Sequence, residues 1–314
     1  MAINTTTRNA IKIGRQQADE VLKFREKELR QRKRAIKRQL KAFRAEGPTI
    51  APKLVHAVGG PATAGILVAE GDSWFDYPLN DILRLLEDHH GYDVESVAHK
   101  GDRVEDMAYG LGQLEEFTRR IEKLLRRNII PKAVLLSGGG NDVAGTEFGM
   151  LINHARSPVA GLNLQVISGV IDERIHFAYV AILSAITRLC EQRLNRHIPI
   201  LVHGYDYPVP DGRGFLGGWS FLPGPWLEPG FREKGYEEIN VRVELVGQLI
   251  DRFNAMLQSI VSLPDFSHVK YIDLRNTLSS GKNYKKDWAN ELHPTAAGFK
   301  RVTDRFAAEL AALP

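Results

Sequence analysis

The sequence predicts an α/β fold, a parallel sheet covered by helices on both faces. Two observations carry this. Five short strand-like runs fall at 65–70, 93–98, 132–137, 199–204 and 268–273, and helix-like stretches at 79–89, 104–127, 168–196, 236–262 and 295–312 alternate with them. Strands that alternate with helices in this way pair in parallel and are buried from both sides. The first run, Ile66-Leu67-Val68-Ala69, ends abruptly in a Gly71-Asp72-Ser73 turn, and Leu79, Ile82, Leu83, Leu85 and Leu86 then recur at helical spacing among acids. The third run, Ala133-Val134-Leu135-Leu136, ends in Ser137-Gly138-Gly139-Gly140-Asn141-Asp142. The last helical stretch is preceded by Asn290-Glu291-Leu292-His293-Pro294-Thr295.

Size and composition bound what this fold carries. With 314 residues, 43% of them hydrophobic, the chain holds one large α/β domain with extensions. A single cysteine, Cys190, excludes an internal disulfide framework and reads as a small buried apolar residue. No Cys/His cluster has zinc spacing, and neither a metal nor a cofactor is expected. His89-His90 read as residues at a helix C-terminus. Gly138-Gly139-Gly140 lacks the glycine spacing of a dinucleotide site and the helix that should follow it. Met1 to Thr7 are polar, no apolar signal core follows, and no run approaches the roughly 18 apolar residues of a membrane span. The expected compartment is therefore the cytoplasm, with leaderless export left open.

Charge is distributed unevenly. Residues 1–46 carry 14 Lys/Arg against 5 Asp/Glu, a net of +9, which leaves about −5 for the other 268 residues of a chain with net charge +4. Residues 8–45 read as one long basic helix without Pro and with one internal glycine, Gly14, stopped by Gly47-Pro48. Leu22, Leu29, Ile36 and Phe43 recur every seven residues, but Glu26 and Lys33 interrupt the companion positions, so the stripe is too narrow for a strong coiled coil. The arm suits self-association, docking on its own domain, or an anionic surface. With two aromatics, Phe24 and Phe43, it gives base stacking little purchase, and specific nucleic-acid recognition is not expected. Residues 47–63 read as a linker and 64–314 as the main domain.

Three loops hold the chemistry-bearing residues. A serine at the carboxyl end of a buried strand, just before a helix, stands where open α/β sheets place their ligands. A reactive serine needs a base for its proton and donors for the oxyanion. Ser73, His293 and Asn141 supply those residue types at strand ends or in loops of one pattern. The 205–235 segment, after the fourth strand, interleaves Tyr205, Tyr207, Trp219 and Trp226 with Pro and Gly. A long loop without secondary structure in a compact domain is usually functional. It reads as a substrate wall, joined by Trp74 and Tyr77 behind the serine.

Four segments in this order resemble the SGNH hydrolases, also called GDSL lipases and esterases: Gly71-Asp72-Ser73, Gly101-Asp102, Gly140-Asn141-Asp142 and Leu292-His293-Pro294. The resemblance spans roughly residues 64–312. It implies a flavodoxin-like three-layer sandwich with sheet order 2-1-3-4-5, and ester hydrolysis through an acyl-enzyme. It casts Ser73 as nucleophile, His293 as base, and the Ser73 and Gly101 N–H groups with the Asn141 side chain as oxyanion donors. The family's usual aspartate three residues before the histidine is here Asn290. Asn290 is then the orienter by position, Asp287 the charged candidate, and Glu291 or a backbone carbonyl a further option. The expected substrate is a small ester with an apolar acyl or aryl group. Readings from other classes are a catalytically weak lipid- or carbohydrate-binding relative, or a protein that binds anionic surfaces through its arm.

Overall fold

The computed structural model describes residues 30, 31, 33–38, 63–110, 112–217 and 222–313. Within the basic arm, residues 30, 31 and 33–38 are helical, with Ala35 buried; the other arm residues, the linker up to residue 62, and Trp219 lie outside the described residues. The chain divides into two compact units. The smaller takes the residues up to Gly65 together with Leu86–Asp93. In it, the Thr63 hydroxyl donates to the carbonyls of Gly65 and Gly91 at 3.1 and 3.0 Å. The larger takes residues 66–85 and 94–314 and contains every residue of the candidate site.

A five-stranded sheet is built from β1 (Ile66–Glu70), β2 (Asp93–Ser96), β3 (Ala133–Leu136), β6 (Ile200–His203) and β7 (Val269–Ile272), in the order β2-β1-β3-β6-β7. Counted within the sheet this is the 2-1-3-4-5 order. β1 pairs with β3, β3 with β6 and β6 with β7, all in parallel. Every residue of β1, β3 and β6 is buried, so both faces of the sheet centre are covered. That explains why these strands read as continuous apolar runs rather than alternating ones. A two-stranded antiparallel ribbon, β4 (Ile152–Asn153) and β5 (Gly161–Leu162), lies in the connection after β3.

The helices follow the sequence pattern with four differences, one of them a helical turn after the glycine triplet, where the sequence suggests none. α1 (Ile82–His90) ends on His89 and His90, as read. The stretch 104–127 is two helices, α2 (Val104–Tyr109) and α3 (Gln113–Arg126). Gly110 closes α2 by donating to the Asp106 carbonyl at 2.7 Å, and Gly112 takes a left-handed φ of 87° that no helix interior allows. A single helical turn, α4 (Gly140–Val143), follows Gly139. The stretch 168–196 begins as α5 (Leu164–Ile167) and a π-helical segment (Ser168–Ile175), and only then becomes α6 (His176–Leu194). Cys190 is buried in α6, and burial pushes its thiol up to about 11. The 205–235 segment is not free of secondary structure: α7 (Glu228–Glu233) forms inside it. α8 (Ile239–Val261) packs against β6 and β7, and α9 (Ala296–Ala311) starts at Thr295, whose hydroxyl caps the Gly298 N–H at 3.1 Å. No helix of the described residues is long and apolar enough to cross a membrane.

Beyond its strand end, β1 stays against β3: the Ser137 N–H donates to the Glu70 carbonyl at 3.1 Å. This closeness explains Gly71. A Cβ there would stand 2.7 Å from Ser137 Cβ and 2.8 Å from the Ser137 carbonyl oxygen. Gly71→Ala is therefore expected to destabilise the fold by about 1–3 kcal/mol, the usual cost of overpacking a tight core. The check is a denaturant midpoint that falls at unchanged m-value. An unchanged midpoint would show that the two strand ends separate freely.

Candidate active site

The Ser73 turn is held by its own aspartate. The Phe75 and Asp76 N–H groups donate to the Asp72 carbonyl at 3.0 and 3.1 Å and close the turn. The Asp72 carboxylate is buried and faces three strand ends. Its Oδ1 accepts from the Trp74 N–H at 3.0 Å and the Ser137 hydroxyl at 2.8 Å, and its Oδ2 accepts from the Tyr205 hydroxyl. Tyr205 Oη in turn accepts the Gly140 N–H at 3.2 Å. One carboxylate thus ties the ends of β1, β3 and β6 together.

His293 sits on a loop closed on itself before α9. Trp288 and Pro294 form a β-bridge, the Ala289 N–H donates to the His293 carbonyl at 2.9 Å, and the Thr295 N–H to the Asp287 carbonyl at 2.7 Å. The Trp74 indole N–H reaches the Leu292 carbonyl at 3.1 Å and joins this loop to the Ser73 turn. The result brings Ser73 Oγ and His293 Nε2 to 2.7 Å, across 220 residues of sequence.

The other ring nitrogen, Nδ1, faces Asn290 Oδ1 at 3.0 Å. That oxygen also accepts the backbone N–H groups of Leu292 and His293 at 3.0 and 2.9 Å. Two fixed backbone donors identify the atom as the amide oxygen, so His293 must carry its proton on Nδ1 and present a lone pair at Nε2. Neither carboxylate considered from sequence reaches the ring. Asp287 accepts the Ser279 N–H at 2.7 Å and pairs with Arg301. Glu291 is buried and accepts four backbone N–H groups, those of Gly212, Trp226, Leu227 and Glu228, at 2.7–3.0 Å. It anchors the 205–235 segment to the histidine loop.

One hydrogen bond joins Asn141 to the loop that carries Gly101, through the neighbouring Asp102 carbonyl. Asn141 Nδ2 donates to the Asp102 carbonyl at 2.9 Å and carries a second hydrogen that this contact does not use. Gly101 adopts φ 92° in the same loop, which the His99 N–H ties to the Gly71 carbonyl at 3.0 Å. Asp142 holds the neighbouring end of α2 by accepting the Val104 N–H at 2.9 Å, and burial pushes its carboxyl up to about 6.

A narrow cavity opens beside Ser73. Asn141, Trp74 and Tyr205 line it with Ile171 of the π-helical segment, Leu227, and Val246, Ile250 and Phe253 of α8. The aromatic residues foreseen as substrate walls divide accordingly. Trp74 and Tyr205 line the cavity. Tyr207 does not: its hydroxyl donates to Asp251 at 2.7 Å, beside the Arg275–Asp251 pair at 2.9 Å. Tyr77 and Trp226 flank the histidine instead. Tyr77 stacks on the imidazole with centroids 4.2 Å apart and planes at 20°, and Trp226 meets it edge-on at 5.5 Å. Much of the apolar wall comes from the π-helical segment and α8, which the sequence marks as ordinary helix. Among the described residues no group of three or more His, Cys, Asp or Glu is arranged to hold a metal ion.

The structure is an open-sheet α/β fold with a serine and a histidine paired beside its strand ends. The chain belongs to the GDSL-like lipase/acylhydrolase family, whose model matches residues 57–301, and is a carboxylic ester hydrolase. Similar solved structures include a lipase from a goat rumen metagenome, at 14% identity over 79% of this chain and 97% of that one, TM-score 0.45. Another is a catalytic mutant of an acetylxylan esterase from Geobacillus stearothermophilus, at 14% identity over 79% and 94%, TM-score 0.41. A comparison with curated proteins gives no match.

Burial holds the His293 ring down at about 3, against an ordinary value of about 6.5. Only the neutral ring accepts a proton, so lowering its pKa keeps it competent to lower pH. The acid limb of kcat/KM is therefore expected well below pH 6.5. For stability the sign is the opposite. Between about 6.5 and 3 the unfolded histidine takes up a proton that the buried ring refuses, so folding weakens as pH falls through that window. Asn290→Asp, which brings a negative charge to Nδ1, is expected to move the limb to higher pH, whereas Asp287→Ala should leave it in place. A pH–rate profile of ester hydrolysis for the three proteins checks both, and a limb shifted by Asp287→Ala would return that residue to the site.

Proposed function

We propose that this chain hydrolyses esters of short apolar acyl groups through a Ser73 acyl-enzyme. The observation that carries this reading is the 2.7 Å contact between Ser73 Oγ and a neutral His293 Nε2, beside an apolar cavity. His293 Nε2 takes the hydroxyl proton as Oγ attacks the ester carbonyl carbon. The carbonyl π-electrons move to oxygen, and the resulting oxyanion faces the Ser73 and Gly101 N–H groups and the second Asn141 hydrogen. As the tetrahedral intermediate collapses, the C–O bond to the alcohol breaks and Nε2–H protonates the leaving oxygen. Water then repeats the sequence on the acyl-enzyme, releasing the acid and regenerating Ser73.

The acyl group is assigned to the cavity because its wall from Ile171 to Phe253 offers apolar contact and little hydrogen bonding. Its volume of about 60 Å³ is small, which favours a short acyl chain.

Ser73→Ala is expected to abolish p-nitrophenyl ester hydrolysis and labelling by a fluorophosphonate probe. Asn141→Ala should cost on the order of 100- to 1000-fold in turnover, the usual loss for one oxyanion donor. Hydrolysis that survives Ser73→Ala would sink the acyl-enzyme. Across a series of p-nitrophenyl esters run beside acetylated sugars, kcat/KM should peak at short acyl chains. Val246→Trp should then depress butyrate hydrolysis more than acetate hydrolysis. A maximum at long chains, or on acetylated sugars, would overturn the acyl assignment.

A further inference from the structure

A triad aspartate keeps the imidazole in one tautomer and offsets the positive charge that forms on it. Asn290 does the first through Oδ1 and has no charge for the second. The charged groups around the ring are already committed: Glu291 to four backbone N–H groups, Asp287 to Arg301 and Ser279, and Arg213 to Asp211 and the Trp288 carbonyl. What does lie against the ring is the face of Tyr77, 4.2 Å away and nearly parallel, with the Trp226 edge on another side. An aromatic face attracts a cation within about 6 Å, and more strongly where water is excluded. His293 is 6% exposed, so that condition is met.

The Tyr77 hydroxyl adds a second link. It accepts a hydrogen bond from Asn290 Nδ2 at 3.0 Å. Asn290 therefore spans from Tyr77 Oη to His293 Nδ1, and donation at the amide nitrogen polarises the amide oxygen that holds the ring. Phe215 meets Tyr77 edge-on at 5.8 Å and Phe299 packs beside it at 5.7 Å, so the ring is fixed from behind.

We propose that Tyr77 is a positioning residue which, together with Asn290, replaces the triad carboxylate: its ring face stabilises the His293 imidazolium and its hydroxyl anchors the amide that orients the base. This rests on the Ser73–His293 reading above. The burden of charge stabilisation moves from an anion at Nδ1 to a quadrupole stacked on the ring.

The test is a double-mutant cycle on short-chain ester hydrolysis. Tyr77→Leu is expected to lower kcat about 30-fold with little change in KM, the size of a desolvated cation–π contact. Tyr77→Phe, which keeps the face and loses the amide anchor, should lower kcat by less than Tyr77→Leu does, and a loss equal to that of Tyr77→Leu would remove the face from the account. In the Asn290→Asp background a carboxylate supplies the charge, and Tyr77→Leu should cost less than about 3-fold. Equal losses in both backgrounds would mean that Tyr77 merely packs, and would overturn the proposal. Should Tyr77→Leu fold poorly, position 77 is filled with phenylalanine carrying successively more fluorine. These rings keep the shape and lose the negative face, so kcat should fall stepwise; a flat series overturns the proposal. Failure of the underlying reading shows separately, as hydrolysis that survives Ser73→Ala, and the proposal then falls with it.

Discussion

Asp72 is the constraint on which the site depends. Three parallel strands end side by side. A buried carboxylate placed there accepts from the Trp74 N–H, the Ser137 hydroxyl and the Tyr205 hydroxyl, one partner from beyond each of β1, β3 and β6. Burying a charge is expensive unless each oxygen is satisfied, and here each has a donor. The position of Ser73 follows, because its neighbours on both sides are held. So does the apolar cavity, one wall of which is the Tyr205 ring that the same carboxylate holds. Gly71 belongs to this constraint as well, since only a residue without Cβ lets β1 and β3 stay together past their ends.

The histidine loop is built by different means. A β-bridge holds it, with two backbone N–H groups and the ring Nδ1–H on one amide oxygen and a stack of aromatic rings, and no ion pair reaches the imidazole itself among the described residues. The consequence is electrostatic. A ring with a carboxylate partner is drawn toward its charged form, whereas His293 is buried among neutral groups and is held strongly toward its neutral form. A neutral amide also suits the site, for Asn290 uses its nitrogen as well as its oxygen. The absent charge is therefore part of a consistent local chemistry, one in which Glu291, the nearest carboxylate in sequence, is spent on fixing the 205–235 segment.

What could be read from sequence divides along the range of the interactions. Strand runs and the glycine-bounded turns are local, and the sheet and the Gly71-Asp72-Ser73 turn were legible down to a residue or two at their ends. The order of the strands was legible through the four-segment resemblance and not through periodicity. The break at Gly110–Gly112 carried a visible signal in its two glycines, outweighed by the helical spacing on either side. The roles of Asp287, Tyr77 and Tyr207 were not legible. Asp287 lies six residues from the histidine, and chain distance alone allowed contact; its pairing with Arg301 decides otherwise. Tyr77 and Tyr207 are both aromatic residues beside chemistry-bearing loops. One stacks on a histidine 216 positions away and the other turns outward to Asp251. Composition cannot separate these cases, because the partners come from strands and helices that meet only in the folded chain.

The π-helical segment shows how a small irregularity feeds specificity. A wide turn at Ser168–Ile175 displaces side chains relative to the α-helical register that continues in α6. Ile171, within the wide turn, is fully buried and forms part of the cavity wall opposite α8. Phe253 of α8 bounds the cavity and also abuts Gly139, where a Cβ would stand 2.4 Å from its ring. The glycine triplet thus serves two ends: it lets the chain turn at a φ of 100° and lets the phenylalanine approach the backbone that carries Asn141. In the proposed mechanism, substitutions that enlarge the wall at Ile171 or Phe253 act on acyl length through space, while those at Gly139 also move the asparagine. The two kinds separate kinetically. The first alters KM and chain-length preference at nearly constant kcat for acetate, and the second lowers kcat for every ester alike.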